Sequence, residues 1–174
     1  VSEAFQKKMR NDMYDAVVSA FAGLAAPYSN GTAGSFDEGK LTTIIDHVEA
    51  ATGKKAVVIG SKQAVRKITG VKGADANTAK EELFSMGYYG HFYTTPIIVM
   101  ENAHKVGSTD FILGNDLYIV AGDDKFIKGV IEGDTLIIDG KAIDNADLSQ
   151  EYLMAEAWGL KAVISEQMGI YKLS

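Results

Sequence analysis

The segment NADLSQEYLMAEAWGLKAVISEQMGIYKLS, residues 145–174, is the stretch whose secondary structure decides the fold. Its first half is rich in good helix formers, and Asp147 or Ser149 could cap a helix there. Two glycines interrupt this pattern, however, and residues 169–173 alternate as the side chains of a strand do. Local propensity therefore favours a helix, whereas the end of the segment favours a strand.

The composition of the whole chain is that of an ordinary globular protein. It has 174 residues, of which 47% are apolar and 23% charged, so we expect one domain or two small lobes. No apolar run approaches the roughly 18 to 20 residues of a membrane span, and no membrane partner is expected. The chain begins at Val1 in a charged helical pattern without the features of a signal peptide, which favours a processed or truncated product.

Charge and cysteine content exclude several classes of protein. The net charge is -6 and there is no cysteine, so disulfides, thiolate chemistry and cysteine metal sites are excluded. Lysine and arginine are scattered, whereas sequence-specific nucleic-acid binders usually carry a basic stripe. The sequence therefore lacks the clustered positive charge that such a binder uses to contact phosphates.

The first half of the chain reads as helices around one short strand. Residues 2–24 have apolar side chains at three- and four-residue steps, which predicts one long amphipathic helix ending before Pro27. The connection AAPYSNGTAG, residues 25–34, is typical of an exposed boundary between lobes. Ser35 and Glu38 have capping-box spacing and predict a second helix that ends at Gly53. Three elements follow: a buried strand at Ala56–Ile59 ending at Gly60, a short helix from Ser61 to about Ile68, and a helix from Asp75 or Asn77 to Gly87.

From Tyr88 the pattern changes to strands separated by glycine and aspartate turns. The predicted strand segments are FYTTPIIVMEN, DLYIVAGD, KFIKGVIEGD and TLIIDGKAID. The second half of the chain is therefore rich in β-structure.

The three histidines are the first candidates for catalysis or metal binding. His47 lies in the second helix beside Asp46 and Glu49, but these side chains point in different directions on a helix. His91 and His104 lie in predicted loops, and a hydrolase built from them and nearby aspartates is the least favoured function. Helix-surface and loop histidines are the simpler interpretation.

Glycine-rich and acidic motifs are also better explained by structure than by chemistry. Gly53-Lys54-Lys55 and Gly60-Ser61-Lys62 lack the earlier glycine of a phosphate-binding loop. The acidic stretch 139–151 lacks the regular alternation of a calcium loop, and hairpin turns explain it and the EGDT and GDDK stretches. The sequence predicts no catalytic residue, no cofactor, no metal site and no small-molecule substrate.

Gly70-Val71-Lys72-Gly73 is the motif that supports a function of a different class. A Gly-x-x-Gly loop between two helices is how KH domains bind a nucleic-acid backbone. The acidity of the chain and the missing second strand of the expected hairpin oppose this interpretation. A small KH-like nucleic-acid-binding module using Gly70, Lys72 and Gly73 therefore stays as an alternative.

The order of elements resembles a known family. The long first helix is followed by EGKLTTIIDHVEAATGKKAVVIGSKQAVRKI, YGHFYTTPIIVMENA, LYIVAGDDKFIKGV and EYLMAEAWGLKAVISEQMGIYKL. Together these segments resemble the major capsid protein of tailed bacteriophages, whose Hong Kong 97-type fold is shared with encapsulin nanocompartments. The resemblance implies an α+β fold with a long spine helix, peripheral-domain strands and an inserted α/β axial domain.

The resemblance also implies a division of the chain. Residues 1–35 would be the spine helix and connection of the peripheral domain, 36–122 the axial domain, and 123–174 the peripheral-domain strands. Residues 26–35 and 121–125 would be the two crossings between lobes. The N-terminal arm and extended loop of the family are not in this sequence, so we expect the C-terminal portion of a capsid subunit.

The function implied by the resemblance is that of a structural virion protein and not of an enzyme. Copies would self-assemble into pentameric and hexameric capsomers and enclose double-stranded DNA, contacted non-specifically, with scaffold and portal proteins as further partners. The protein would be found in the virion after assembly in the bacterial host cytoplasm. An encapsulin-like compartment shell is the nearest alternative.

The resemblance resolves the ambiguity of the closing segment in favour of β-structure. Residues 148–158 would form a peripheral-domain strand in which pairing overrules helical propensity. Trp158-Gly159 would be a bulge or bend, Lys161–Ser165 would continue the strand, and Gly169–Leu173 would end it.

Overall fold

The computed structural model describes residues 2–69, 71, 77–105, 107–121, 127–139, 152–162 and 166–173. Within these ranges the chain is a mixed α+β protein, as the sequence predicts. Its helices are α1 (Ser2–Ala22), α2 (Glu38–Thr52), α3 (Lys62–Val65) and α4 (Asn77–Met86). Its strands are β1 (Ser29–Gly31), β2 (Ala56–Ser61), β3 (His91–Phe92), β4 (Thr95–Met100), β5 (Leu117–Ala121), β6 (Ile127–Asp139), β7 (Tyr152–Ala162) and β8 (Met168–Lys172).

The larger sheet has six strands in the order β1-β8-β5-β2-β4-β3. β2 pairs in parallel with β4 and antiparallel with β5, while β8 pairs antiparallel with β5 and in parallel with β1. The last strand of the chain therefore lies inside the sheet, between a strand from the first connection and a strand from the middle of the sequence.

The two faces of this sheet are covered by different helices. α2 places four buried apolar side chains against one face, namely Leu41, Ile44, Ile45 and Val48. Successive residues of a strand point to opposite faces, and in β5 Leu117 and Ile119 join this cluster whereas Tyr118 joins a second one. The second cluster contains Phe21 from the end of α1, whose ring lies 4.9 Å from that of Tyr118 in an edge-to-face arrangement. The sheet is therefore packed between α2 and the C-terminal end of α1.

Tyr171 of β8 fixes the start of α2. Its side chain is fully buried, and its hydroxyl accepts a hydrogen bond from the Asp37 N–H at 2.7 Å and donates to the Ser35 carbonyl at 3.5 Å. The N-cap of α2 is Asp37, whose Oδ1 accepts from the Lys40 N–H at 3.2 Å. The predicted capping box from Ser35 is therefore wrong by two residues, because the Ser35 main chain is bound to Tyr171. The predicted end at Gly53 is confirmed, with φ of 66°.

Several other predicted boundaries shift slightly. β2 runs through Gly60 to Ser61, and Ser61 then caps α3, which ends at Val65 and not near Ile68. The predicted strand at 92–102 is a hairpin of β3 and β4, with Tyr93 at the turn at φ of 53°. α4 begins at Asn77 and is followed by Gly87 at φ of 76°, as predicted.

The smaller sheet is a ribbon of β6 and β7. The strand expected in the closing segment is confirmed for residues 152–158 and 161–162, while 148–151 and 163–165 lie outside the described residues. The predicted bulge at Trp158-Gly159 is wrong, since these residues pair regularly with Ile131 and Val130. Cross-strand pairing thus overrules the helical propensity of this segment.

The irregularity of the ribbon lies on the opposite strand. The register shifts between Glu132 and Leu136, and Gly133 has φ of 76°, a conformation that favours glycine. The predicted separation of 125–134 and 135–144 into two strands joined by a turn is therefore wrong. Residues 127–139 form one strand with a bulge in the EGDT stretch, while the GDDK stretch lies outside the described residues.

Residues 169–173 do not end the strand formed by β7. They belong mainly to β8, which pairs with β5 and β1 in the six-stranded sheet. The division of the chain at 1–35, 36–122 and 123–174 stays a prediction, and β8 nevertheless pairs with β5 inside the second of these ranges.

The ribbon is attached to α1 through Trp158. The indole Nε1 donates to Asp12 Oδ2 at 3.2 Å, and the Lys8 Nζ lies 5.2 Å from the centroid of the indole ring, within range of a cation–π contact. The N-terminal half of α1 thus contacts the ribbon, while its C-terminal end contacts the six-stranded sheet.

α2 packs closely against the main chain of β8 at Gly169. A Cβ built on Gly169 would lie 2.5 Å from Ile44 Cγ2 and 3.1 Å from Val48 Cγ2. Gly169→Ala is therefore expected to lower the free energy of unfolding by about 1–3 kcal/mol through overpacking, measured by urea denaturation. Gly114→Ala is the matched control, because nothing lies within 4 Å of the added methyl group, and equal losses in both variants would contradict the prediction.

Tyr118 makes stability sensitive to alkaline pH. Burial, together with the nearby charge of Asp116, raises the pKa of Tyr118 to about 12. Below the ordinary pKa of about 10 the hydroxyl is neutral in both states, and between the two values the unfolded chain loses its proton first. The free energy of unfolding is therefore expected to fall as pH rises from 10 to 12, and less steeply in Tyr118→Phe. Urea denaturation at several pH values measures this, and identical slopes in both proteins would contradict it.

Candidate functional site

The structure gives each histidine a different neighbour. His47 is exposed on α2, as predicted, with its ring 6.3 Å from that of Tyr28. His91 Nδ1 lies 3.7 Å from Glu82 Oε1, whereas the His104 ring lies 5.0 Å from that of Phe111. Over the part of the chain that the structure describes, no three histidine, aspartate or glutamate side chains form a group suited to a metal ion.

The glycine-lysine motifs that were considered for phosphate binding have structural roles. Gly53 ends α2 in a left-handed conformation. Ser61 Oγ accepts from the Ala64 N–H at 3.2 Å and donates to the Gly114 carbonyl at 3.1 Å. Gly70, Lys72 and Gly73 lie outside the described residues, as does most of the acidic stretch 139–151. The KH-like module therefore stays a prediction.

Three exposed large apolar side chains lie on α4, namely Leu83, Phe84 and Met86, and together they are called here the α4 patch. The relative exposure of Phe84 is 95%, and those of Leu83 and Met86 are 42% and 40%. Amphipathic helices normally turn such side chains toward the core. Leu83 and Met86 are about one helical turn apart, and Phe84 lies about 100° around the helix from Leu83; an almost fully exposed phenylalanine is the type of side chain that protein interfaces bury.

Hydrogen bonds at the C-terminal end of α4 hold the patch in this orientation. The Gly87 N–H donates to the Leu83 carbonyl at 2.9 Å and closes the helix. On the neighbouring face, Glu82 Oε2 accepts from the Gly90 N–H at 3.0 Å. The helix is thus anchored through Glu82 to the segment that leads into β3, and the neighbouring Leu83 and Phe84 point to solvent.

Sequence reasoning missed the α4 patch because it assigned α4 only by its ends. A usable signal was present. Leu83 and Phe84 are adjacent, and adjacent side chains on a helix point about 100° apart. A narrow buried face can therefore hold only one of them, and the other is expected to be exposed. Other large apolar side chains are exposed elsewhere in the described chain: Met13, Tyr93, Ile98, Phe111 and Val130.

Comparison with known families identifies what kind of protein carries this surface. Residues 1–172 match the family of the "SPbeta prophage-derived putative capsid protein YonB". The chain belongs to this family. Membership of this family supports a structural role in a phage particle. It agrees with the predicted resemblance only at this general level.

A solved structure supports the fold. The crystal structure of a phage-related protein from Bordetella bronchiseptica RB50 aligns with a TM-score of 0.58 at 11% identity, covering 91% of this chain and 60% of that one. At this identity the likeness shows a shared mixed α and β fold. Because the alignment covers 60% of the Bordetella protein, this capsid-family chain spans less than two thirds of that protein's length. No curated protein sequence matches it.

The described part of this capsid-family chain contains no helix that is long and apolar enough to cross a lipid bilayer.

The α4 patch is expected to contribute little to the stability of the isolated chain. Phe84→Ser should change the free energy of unfolding by no more than about 0.5 kcal/mol, since the ring is exposed. Phe92, by contrast, is 2% exposed in the core, and Phe92→Ala should cost about 3–5 kcal/mol. Thermal and urea denaturation of both variants measure this, and a large loss in Phe84→Ser would show that the ring packs within the chain.

Proposed function

We propose that this protein is a head subunit of a phage or prophage, and that its copies self-assemble into a shell that encloses double-stranded DNA. The single observation that carries the proposal is the match to a prophage-derived capsid family over residues 1–172. In this proposal the protein is located in the virion and has no enzymatic activity of its own.

The proposed fold is the Hong Kong 97 type. Three features support it: the 21-residue helix α1, the long ribbon of β6 and β7 that contacts α1 through Trp158, and the separate six-stranded sheet with α2. α1 would be the spine helix, the ribbon would belong to the peripheral domain, and most of the six-stranded sheet would form the axial domain.

The α4 patch supports self-association as the means of assembly. A shell subunit needs surfaces that fit other copies of itself, and closed symmetry repeats each contact many times. Phenylalanine and methionine are enriched at protein interfaces, so the exposed Phe84 and Met86 are suited to contact with a neighbouring copy. Pentameric and hexameric capsomers are the assemblies proposed.

The charge of the chain is compatible with non-specific contact to packaged DNA. A net charge of -6 gives no strong attraction to phosphate, so DNA would be confined by the closed shell and not held by a dedicated binding site. Scaffold and portal proteins are proposed as further partners on general grounds of head assembly.

Negative-stain electron microscopy tests the proposal. The chain is expressed together with any sequence that its gene encodes on either side, and closed shells are expected in the purified material. Nuclease-protected double-stranded DNA from infected or induced cells would distinguish a head from a shell that encloses a protein cargo. Persistent monodisperse monomers under all assembly conditions would contradict the proposal.

A variant of the α4 patch tests its role in that assembly. Phe84→Asp is expected to reduce shell formation at least about tenfold, because it places a charge in the centre of an apolar contact and removes the main anchor. Ser85→Asp is the matched control, since it adds the same charge to the adjacent exposed position and removes no apolar side chain. Shell yields are measured by sedimentation, and equal yields from both variants would contradict a role for the patch.

A further inference from the structure

The ribbon of β6 and β7 has two different faces. On one face Trp158 meets Asp12 and Lys8 of α1. Successive residues of a strand point to opposite faces, so the residues on either side of Trp158 belong to the other face. Together with their cross-strand partners they form a set that we call the open ribbon face: Lys128, Val130, Glu132, Ala157, Gly159 and Lys161.

The open ribbon face is exposed along its whole described length, since all six of its residues are exposed. The relative exposure of Val130 is 66%. A Cβ built on Gly159, the cross-strand partner of Val130, would have nothing within 4 Å. The centre of the face is therefore an uncovered apolar side chain beside open space, whereas α1 contacts the opposite face.

The charges of this face are separated along the strands. Lys128 and Lys161 are directly opposite each other at one end, and like charges in this arrangement destabilise a sheet. Glu132 is four residues further along β6, about 13 Å from Lys128 at the usual rise of a strand. Strand side chains stand roughly perpendicular to the sheet, so Glu132 stays separated from both lysines of its own chain. The face is thus basic at one end, acidic at the other and apolar between them.

We propose that the open ribbon face packs against the same face of a second copy of this chain. The twofold axis passes by Val130 and runs across the strands, between two ribbons about 10 Å apart as in stacked sheets. This axis turns the second ribbon end for end, so Glu132 of each copy lies against the lysine pair of the other. The inference rests on the proposed function in one respect, since self-assembly is what brings second copies together.

The distribution of charge is what favours a second copy as the occupant. A contact across a twofold axis uses the same surface on both subunits, which must therefore be complementary to itself. A face of one charge would repel its own copy, whereas this face places opposite charges together after the rotation. Six residues a side are fewer than the roughly 20–30 of a standard stable interface, so the contact is weak alone and depends on repetition by symmetry.

A cysteine at the proposed axis can trap this weak contact. The chain contains no cysteine, so Val130→Cys adds a single reactive thiol where the two copies meet. The purified full chain is treated with a short bismaleimide, and covalent dimers are measured by denaturing gel electrophoresis. Gly114→Cys is the control for random collision, because this exposed position lies outside the ribbon and has room for the side chain.

The proposal predicts at least about tenfold more covalent dimer from Val130→Cys than from Gly114→Cys, because an equilibrium contact holds the two thiols close together. The yield should also fall as salt is added, since exposed ion pairs are screened. Reaction with a monofunctional maleimide corrects for any difference in the reactivity of the two thiols. Equal corrected yields at the two positions would overturn the proposal.

Charge reversal tests the register of the contact. In the Val130→Cys chain, Glu132→Lys should lower the dimer yield about fivefold or more, because attraction in two symmetric places becomes repulsion. Adding Lys128→Glu should restore part of the yield, since positions 128 and 132 meet between copies and not within one. Glu166→Lys, at an exposed position outside the ribbon, is the control for net charge. Equal losses in Glu132→Lys and Glu166→Lys, or no restoration by Lys128→Glu, would overturn the proposal.

The failures of this inference and of the proposed function are distinguishable. Shells that form normally while Val130→Cys gives no more dimer than Gly114→Cys overturn the ribbon contact alone. Dimers that obey the charge-reversal test in a chain that never forms shells would contradict the proposed function and leave the ribbon contact intact.

Discussion

The contact between α2 and β8 is the constraint on which the rest of the structure depends. At Gly169 the strand has no side chain, so Ile44 and Val48 of the helix lie directly on its main chain. Two residues later, the Tyr171 hydroxyl accepts from the N–H of Asp37, the N-cap of α2, and donates to the carbonyl of Ser35 before it. Gly169 thus determines how closely α2 packs on the sheet, and Tyr171 determines where α2 begins.

The six-stranded sheet therefore joins strands that are far apart in the sequence. β8 pairs with β1 from the first connection and with β5 from the middle of the chain, so the sheet cannot be completed until β8 is in place.

α1 has two contacts, one with the six-stranded sheet and one with the ribbon. Phe21 completes the second apolar cluster, while Asp12 and Lys8 attach the ribbon through Trp158.

Sequence patterns predicted those elements whose signals are local. The caps at Ser61, Gly53 and Gly87 follow from local main-chain geometry and were placed correctly. The N-cap of α2 was misplaced because Tyr171 competes for the Ser35 main chain from 136 residues away. Position 133 was taken for a turn because glycine in a left-handed conformation is common to turns and bulges, and only the pairing with β7 distinguishes them. The opposition of Lys128 and Lys161 follows from the register of β6 with β7 and has no signature in the sequence.

The proposed function predicts that the exposed α4 patch is covered by another copy of the same chain. Cryo-electron microscopy of particles from cells that express the complete gene tests this claim most directly. The account predicts a closed icosahedral shell in which α1 and the ribbon of β6 and β7 fit the density and the α4 patch lies against a neighbouring subunit. Particles in which Phe84 remains exposed to solvent in every subunit, or an absence of particles alongside a stable monomer, would contradict it.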